Sequence, residues 1–301
     1  MKSISLGIIA NTGKPAVTEV LPPFLSWLKS KNISFVVADD LQQIIDISDY
    51  ASVDLKSVAA DVDFVLSFGG DGTFLRTAYI IQPFKVPIIG VNLGAFGYLA
   101  EVKIDQLNKR INDLLNDRYV IQKRIMLEAT SGADKQAKVL FGLNDIIIEK
   151  GDFPRTIRLE TSIDDEYLNT FNADGLIVST PTGSTGYSLS VGGPILEPEL
   201  NAMIISPINP HMLANRPLVV SDKRVVSIIT LSEAGDFQVI ADGQRVIKLK
   251  SGDSISIKRA SFYTNLVLFG DSTFYKLLRN KLQWRDQLFD IDDSIGETQK
   301  R

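Results

Sequence analysis

An α/β amino-terminal domain with an open, mostly parallel sheet, followed by a β-rich carboxyl-terminal domain, is the architecture this sequence predicts. Three features carry the prediction. Over roughly the first 100 residues, short apolar runs rich in Val, Ile and Phe alternate with helical stretches. After Tyr119 the texture changes to short β-prone runs separated by Gly, Asp, Asn or Pro. Near the end, Phe274, Leu277, Leu278 and Leu282 recur at helical spacing.

The runs Ile4–Ala10, Ile33–Ala38, Phe64–Phe68 and Val86–Val91 read as central parallel strands, which are covered on both faces and therefore apolar throughout. Between them, Val17–Ser30 is amphipathic after Pro15, and Phe74–Ile81 has the length of a short helix. Ile104–Leu115, opened by Asp105 and ended near Asn116-Asp117, closes a first domain over 1–119. Arg124–Thr130, Lys138–Glu149, Thr156–Ile163, Gly175–Thr180, Val225–Leu231, Phe237–Ala241, Arg245–Leu249 and Ser254–Lys258 supply strands for a second domain over 120–270. The stretch 271–289 predicts a helix returning to the first domain, and the polar tail 290–301 predicts disorder.

At 301 residues the chain is long enough for two cores. With no cysteines, disulfides, thiolate metal sites and cysteine nucleophiles are excluded. His211 is the single histidine, so a general base is expected to be a carboxylate. A net charge of −4 argues against a nucleic-acid or membrane-surface partner. No apolar run reaches the roughly 20 residues of a membrane helix, and the first residues lack a secretory signal. The expectation is a cytoplasmic protein.

Two stretches carry chemistry. Phe64–Phe68 runs into Gly69-Gly70-Asp71-Gly72-Thr73, a strand, a glycine-rich turn and then a helix. Ligands of open α/β sheets bind beyond the carboxyl ends of the strands, and glycines there let backbone N–H groups approach phosphate at a helix N-terminus. The run matches neither a P-loop nor the dinucleotide Gly-x-Gly-x-x-Gly spacing. A carboxylate inside a phosphate cradle adds repulsion. Accepting a proton from an attacking hydroxyl is a reason for Asp71 to be there; the plainer alternative is a helix cap. The second stretch runs from Asn172 through Asp174-Gly175 and Thr182-Gly-Ser-Thr-Gly-Tyr187 to Gly192-Gly193-Pro194, and it offers hydroxyls and bare amides to a polar ligand. A long surface turn is the alternative there.

Together these stretches resemble the NAD kinase family; the first alone would not separate it from lipid kinases or phosphofructokinases. Asn92-Leu-Gly-Ala-Phe-Gly-Tyr-Leu99, Asn144-Asp145, Pro207 through Arg216-Pro217, and Asp242-Gly243-Gln244 extend the likeness over roughly residues 4 to 270. The resemblance implies Mg²⁺-dependent transfer from ATP to the 2′-hydroxyl of the adenosine ribose of NAD, in a homodimer or homotetramer whose sites are completed across subunits. It implies Asp71 as proton acceptor, with Gly70, Gly72 and Thr73 beside it. Asn144 and Asp145 would hold ribose hydroxyls. Thr182 and the run Thr185, Gly186, Tyr187, Ser188 to Ser190 would line the dinucleotide. Asp174 would meet a polar base or amide edge, with Gln244, Arg155 and Asn172 near the ligand.

Three departures accompany the match: Asp145 stands where glutamate is usual, Gly186 where alanine is common, and Asn172 where some bacterial members have arginine. Arg76, one turn after the motif, reaches a phosphate or is an exposed helix arginine. Asn92 and Tyr98 belong to the site, Tyr98 as a stacking face. His211 reads as structural. Because no carboxylates cluster, Mg²⁺ is expected to arrive on the ATP phosphates, in agreement with the cationic deficit around the glycine run. A lipid or sugar kinase, or a silent dinucleotide sensor, remains the alternative.

Overall fold

A computed structural model describes residues 3–94, 97–132, 137–151, 156–212, 214–231, 237–271 and 273–284. The first domain runs β1 (Ser5–Ala10), α1 (Ala16–Ser30), β2 (Ser34–Ala38), β3 (Ser52–Val53), β4 (Phe64–Gly69), α2 (Asp71–Ile81), β5 (Ile88–Asn92), β6 (Val102–Lys103) and α3 (Leu107–Leu115). Its strands pair in parallel in the order β5-β4-β1-β2-β3. Every residue of β4 is buried, as a parallel strand covered on both faces requires. One face shares a core with Leu21, Phe24, Leu25 and Leu28 of α1; the other packs on Phe74, Leu75, Ala78 and Ile81 of α2. Pro22 and Pro23 lie inside α1. The helix persists across them because its buried apolar stripe outweighs the lost backbone hydrogen bonds.

The second domain is β-rich. It comprises β7 (Val120–Ser131), β8 (Lys138–Gly142), β9 (Asp145–Lys150), β10 (Ile157–Ile163), β11 (Glu166–Ala173), β12 (Gly175–Ser179), α4 (Tyr187–Ser190), β13 (Ala202–Ile208), β14 (Leu218–Ser221), β15 (Val226–Thr230), β16 (Phe237–Ala241), β17 (Arg245–Leu249) and β18 (Ser254–Leu268), followed by α5 (Phe274–Leu282). A 6-stranded antiparallel sheet has the order β14-β13-β12-β9-β16-β17. It packs on a second layer, with Ile146, Ile148, Leu176, Val178 and Val239 sharing a core with Leu127, Leu159, Ile228 and Ile257. The long β18 joins the domains. It is antiparallel to β7 and β15, and its Leu266 pairs in parallel with Ile88 of β5, so the sheet of the first domain continues into the second.

Several elements differ from the sequence reading. Lys138–Glu149 reads as one strand but breaks at Leu143-Asn144, whose N–H groups donate to the Asp242 carboxylate at 2.9 and 2.8 Å and so leave the ladder. Ser254–Lys258 continues to Leu268 through polar residues, where a register shift between Arg259 and Tyr263 absorbs an irregular stretch. β11 lacks an apolar run and is held by its ladder to β10. Helix α5 ends at Leu282, where Gln283 turns left-handed at φ 54°. It packs on the first domain: Arg110 of α3 pairs with Asp271 just ahead of the helix, and the Lys281 ammonium lies 5.8 Å from the Tyr98 ring centre. The predicted disorder of 290–301 lies outside the described residues. No described helix is long and apolar enough to cross a membrane.

Candidate active site

β1, β4 and β5 end side by side, which places Asn11, Gly70 and Asn92 along one crevice at the carboxyl edge of the sheet. A Cβ on Gly69 would overlap the Thr73 side chain, so glycine is what lets the first turn of α2 fold back over the strand end. Gly72 is exposed with open space beside it, whereas Thr73 is buried. Asp71 is the first residue of α2, one position after the N-cap Gly70. The carboxylate accepts N–H groups from the next loop: Tyr98 on Oδ2 at 2.8 Å, and Leu99 and Ala100 on Oδ1 at 3.0 and 3.1 Å. A Cβ on Gly97 would collide with that carboxylate, which accounts for the glycine in the Gly97-Tyr98-Leu99 loop. Asn92 is buried and its Oδ1 accepts the Gly94 N–H at 2.7 Å, shaping the same loop from its other end.

The expected shortage of positive charge at the turn is corrected by Lys14. Its amine lies 3.7 Å from where a Cβ on Gly70 would be and 3.6 Å from the same point on Gly94. No acidic residue among the described ones pairs with it. Strand β1 and α1 deliver it through Asn11-Thr12-Gly13-Lys14-Pro15, where the Asn11 Oδ1 accepts the Gly13 N–H at 3.0 Å. A glycine and a lysine between a strand and a helix was the available signal.

On the second domain, Asp145 opens β9 and is 4% exposed. Burial, and then the charge of Asp242, push its carboxyl up to about 7. Asp242 lies at the β16–β17 turn, where it accepts N–H groups from Leu143, Asn144 and Asp145. The stretch after Pro181, rich in Thr, Ser and Gly, is compact: a 3₁₀ turn over Thr182–Thr185 leads into α4. Its approach to Asn144 is close. Thr180 N–H donates to the Asn144 carbonyl at 2.9 Å, and a Cβ on Gly183 would strike that same carbonyl. At Gly186 the space is looser, with the Asn144 Nδ2 3.5 Å and the Asp145 Oδ2 4.0 Å from a would-be Cβ, so the alanine common in the resemblance would fit with a small shift. Gly186, Asn144 and Asp145 therefore form one wall.

The two halves meet at Gln244, whose Nε2 donates to the Gly72 carbonyl at 3.0 Å.

Family models for the ATP-NAD kinase N-terminal domain and the ATP-NAD kinase C-terminal domain match residues 6–119 and 143–269. The chain belongs to the NAD kinase family. It is a phosphotransferase. A NAD kinase of Heliobacterium modesticaldum is 38% identical over 280 residues, covering 93% of this chain and 98% of that protein. One from Moorella thermoacetica is 39% identical over 278 residues, covering 92% and 89%. The fold is shared with yeast NADH kinase in complex with NADH (TM-score 0.83, 24% identity, 99% of this chain and 91% of that one). It is also shared with an Archaeoglobus fulgidus NAD kinase in complex with ATP (TM-score 0.73, 24% identity, 94% and 100%).

Against this family frame the remaining expected residues divide. Tyr187 and Ser190 are exposed on α4, and the Tyr187 phenol is pushed up by burial of its inner part and by Glu149, Asp174 and Asp145 around it. Ser188 turns inward, fully buried, its hydroxyl sharing a hydrogen bond with Ser206 at 3.2 Å. Thr182, Thr185 and Tyr98 line one cavity of about 80 Å³ with Arg124. Arg124, unremarked in the sequence, is buried and donates to the Thr182 hydroxyl at 3.3 Å. Burial lowers its pKa to about 10.

Asp174 accepts from Lys150 at 2.7 Å and from Asn209 at 3.0 Å, which hold its carboxyl below the usual range. Arg76 faces Asp40 at 3.8 Å. Asn172 sits on β11 and its carbonyl accepts the His211 N–H at 3.0 Å. Arg155 lies outside the described residues. A cleft of about 1070 Å³ opens between Asn92, Gly94 and α5 and does not include the Asn144 wall.

Proposed function

We propose that this chain moves the γ-phosphoryl group of ATP to the 2′-hydroxyl of the adenosine ribose of NAD, giving NADP. The observation that carries the reading is the Gln244–Gly72 hydrogen bond. It ties a phosphate-type glycine turn bearing Asp71 to the domain whose Asn144-Asp145 wall suits a ribose. Asn144 and Asp145 hold the ribose hydroxyls, Thr185, Gly186 and Tyr187 line the dinucleotide, and Asp174 meets a polar edge of it. Asp71 accepts the 2′-hydroxyl proton; carboxylate oxygens carry two lone pairs each, so Oδ2 can serve a substrate while holding Tyr98 N–H. The N–H groups of the glycine turn and Lys14 take the donor phosphates. In-line transfer asks the protein chiefly for such positioning and charge.

A divalent cation, Mg²⁺, would arrive on the ATP phosphates and share their charge with Lys14. Among the described residues no three His, Asp or Glu groups gather that could hold a metal. A cytoplasmic location, read from the composition, and a homodimeric or homotetrameric assembly, implied by the resemblance, belong to the same reading.

Incubation with NAD, ATP and Mg²⁺ is expected to yield NADP. Phosphate passing to diacylglycerol or fructose phosphate with none to NAD overturns the reading. Lys14→Met is expected to raise KM for ATP about tenfold or more and to leave the Kd for NAD unchanged.

A further inference from the structure

The turn Asp242-Gly243-Gln244-Arg245 touches both halves of the site at once. Asp242, whose side chain is 0% exposed, fixes the backbone of Leu143, Asn144 and Asp145. Arg245 donates to the Asp242 Oδ2 at 3.2 Å and to the Phe141 carbonyl at 3.3 Å. The guanidinium carbon then lies over the Tyr79 ring, 3.9 Å from its centre. Tyr79 is on α2, the helix that opens at Asp71. Between Asp242 and Arg245, Gln244 reaches the Gly72 carbonyl. The ionic pair is expensive to bury, since the Arg245 Nε has no hydrogen-bond partner among the described residues. A simple turn would not need it. A tie between two separately folded elements would.

We propose that Arg245 and Tyr79 are positioning residues, forming with Asp242 a clamp that sets the place of the acceptor wall at Asn144-Asp145 relative to the helix bearing Asp71. The chain of contacts runs from α2 through the Tyr79 ring, the Arg245 guanidinium and the Asp242 carboxylate to the backbone that aims Asn144 and Asp145. Neither Tyr79 nor Arg245 is among the residues assigned above to the substrates. A displacement of about 1 Å between reacting groups is enough to cost a phosphoryl transfer 10²-fold. The proposal rests on the reading of Asn144-Asp145 as the ribose wall and of Asp71 as the reacting side.

The test pairs two readouts. Arg245→Lys keeps the charge but loses the planar face, Tyr79→Leu loses the ring, and Tyr79→Phe keeps it. For the first two, kcat is expected to fall about tenfold or more while the Kd for NAD, measured by direct binding, changes less than about threefold. Tyr79→Phe should restore kcat. Hydrogen exchange of the segment 143–145 is expected to quicken about tenfold in Tyr79→Leu and to stay slow in Tyr79→Phe. Unchanged exchange in folded Tyr79→Leu overturns the clamp, whatever the activity. Faster exchange with normal kcat overturns its role in positioning, as does equal loss in Tyr79→Phe and Tyr79→Leu. If the wild-type chain makes no NADP, the reading of the site falls, and the exchange arm still decides whether the clamp exists.

Discussion

Asp71→Asn is expected to lower kcat by at least about 10²–10⁴-fold, the usual contribution of a general base. The amide keeps the size of the side chain and loses the basicity. The structure adds a second consequence. Asp71 accepts N–H groups from Tyr98, Leu99 and Ala100 with both oxygens, and an amide must turn its NH₂ against one of them. Losing one such hydrogen bond costs about 1–3 kcal/mol, so a modest fall in Tm should accompany the loss of turnover. Binding of ATP should hold steady or tighten, because a negative charge has left the neighbourhood of the phosphates. The alternative of a helix cap makes a different forecast, since Asn caps as well as Asp; the hydrogen bonds of the Asp71 carboxylate go to Tyr98, Leu99 and Ala100 instead. The deciding measurement is kcat beside directly measured Kd values for NAD and ATP. Near-normal turnover in a folded Asp71→Asn protein removes the base from the mechanism.

Asp145→Ala is expected to raise KM for NAD by one or two orders of magnitude. That corresponds to roughly 1.5–3 kcal/mol, the worth of a hydrogen bond to a charged group. An unchanged KM contradicts the ribose contact. The carboxyl is pushed up to about 7 by burial and by Asp242, which adds two pH effects. Below about pH 7 it is neutral and a weaker acceptor, so KM for NAD should rise as pH falls through that value. Stability runs the other way. A folded-state pKa above the ordinary 3.8 means that the contribution of this group is fully present below about pH 4 and is lost as pH rises through about 7. Asp145→Asn should therefore melt above the wild type at pH 8, with the gap shrinking towards pH 4. A Tm at pH 8 equal to that of the wild type would falsify the burial penalty. A carboxylate kept at such a site in spite of its cost to the fold is the behaviour of a functional group.

The central strands, α1, α2 and α3 were legible because each is a local pattern. Buried parallel strands are apolar throughout, and helices repeat their apolar residues at a fixed spacing. β11 and the long end of β18 were not, because their polar residues are held by ladders to distant strands. The same division runs through the site. The glycine turn announced itself, since a glycine run after a strand has few other uses. Arg76 did not, since its partner Asp40 lies 36 positions away and only the packed sheet brings the two together (76 − 40).

By itself, then, the sequence determined the α/β then β-rich order, the turn at Gly69–Thr73, and the candidates Asp71, Asn144 and Asp145. The order, the turn and Asp71 depend on residue type and short spacing; Asn144 and Asp145 follow from the resemblance to the family. Tertiary structure alone decided what each carboxylate does: Asp71 gathers the N–H groups of a loop 27 to 29 positions further on, and Asp242 orders a backbone 97 to 99 positions earlier. It alone placed Lys14 beside Gly70 and Gly94, and turned the Ser188 hydroxyl inward. The physical reason is the same in each case. A hydrogen bond or a charge acts over a few ångströms in space, and the sequence does not specify which distant residues the packed sheets bring within that range.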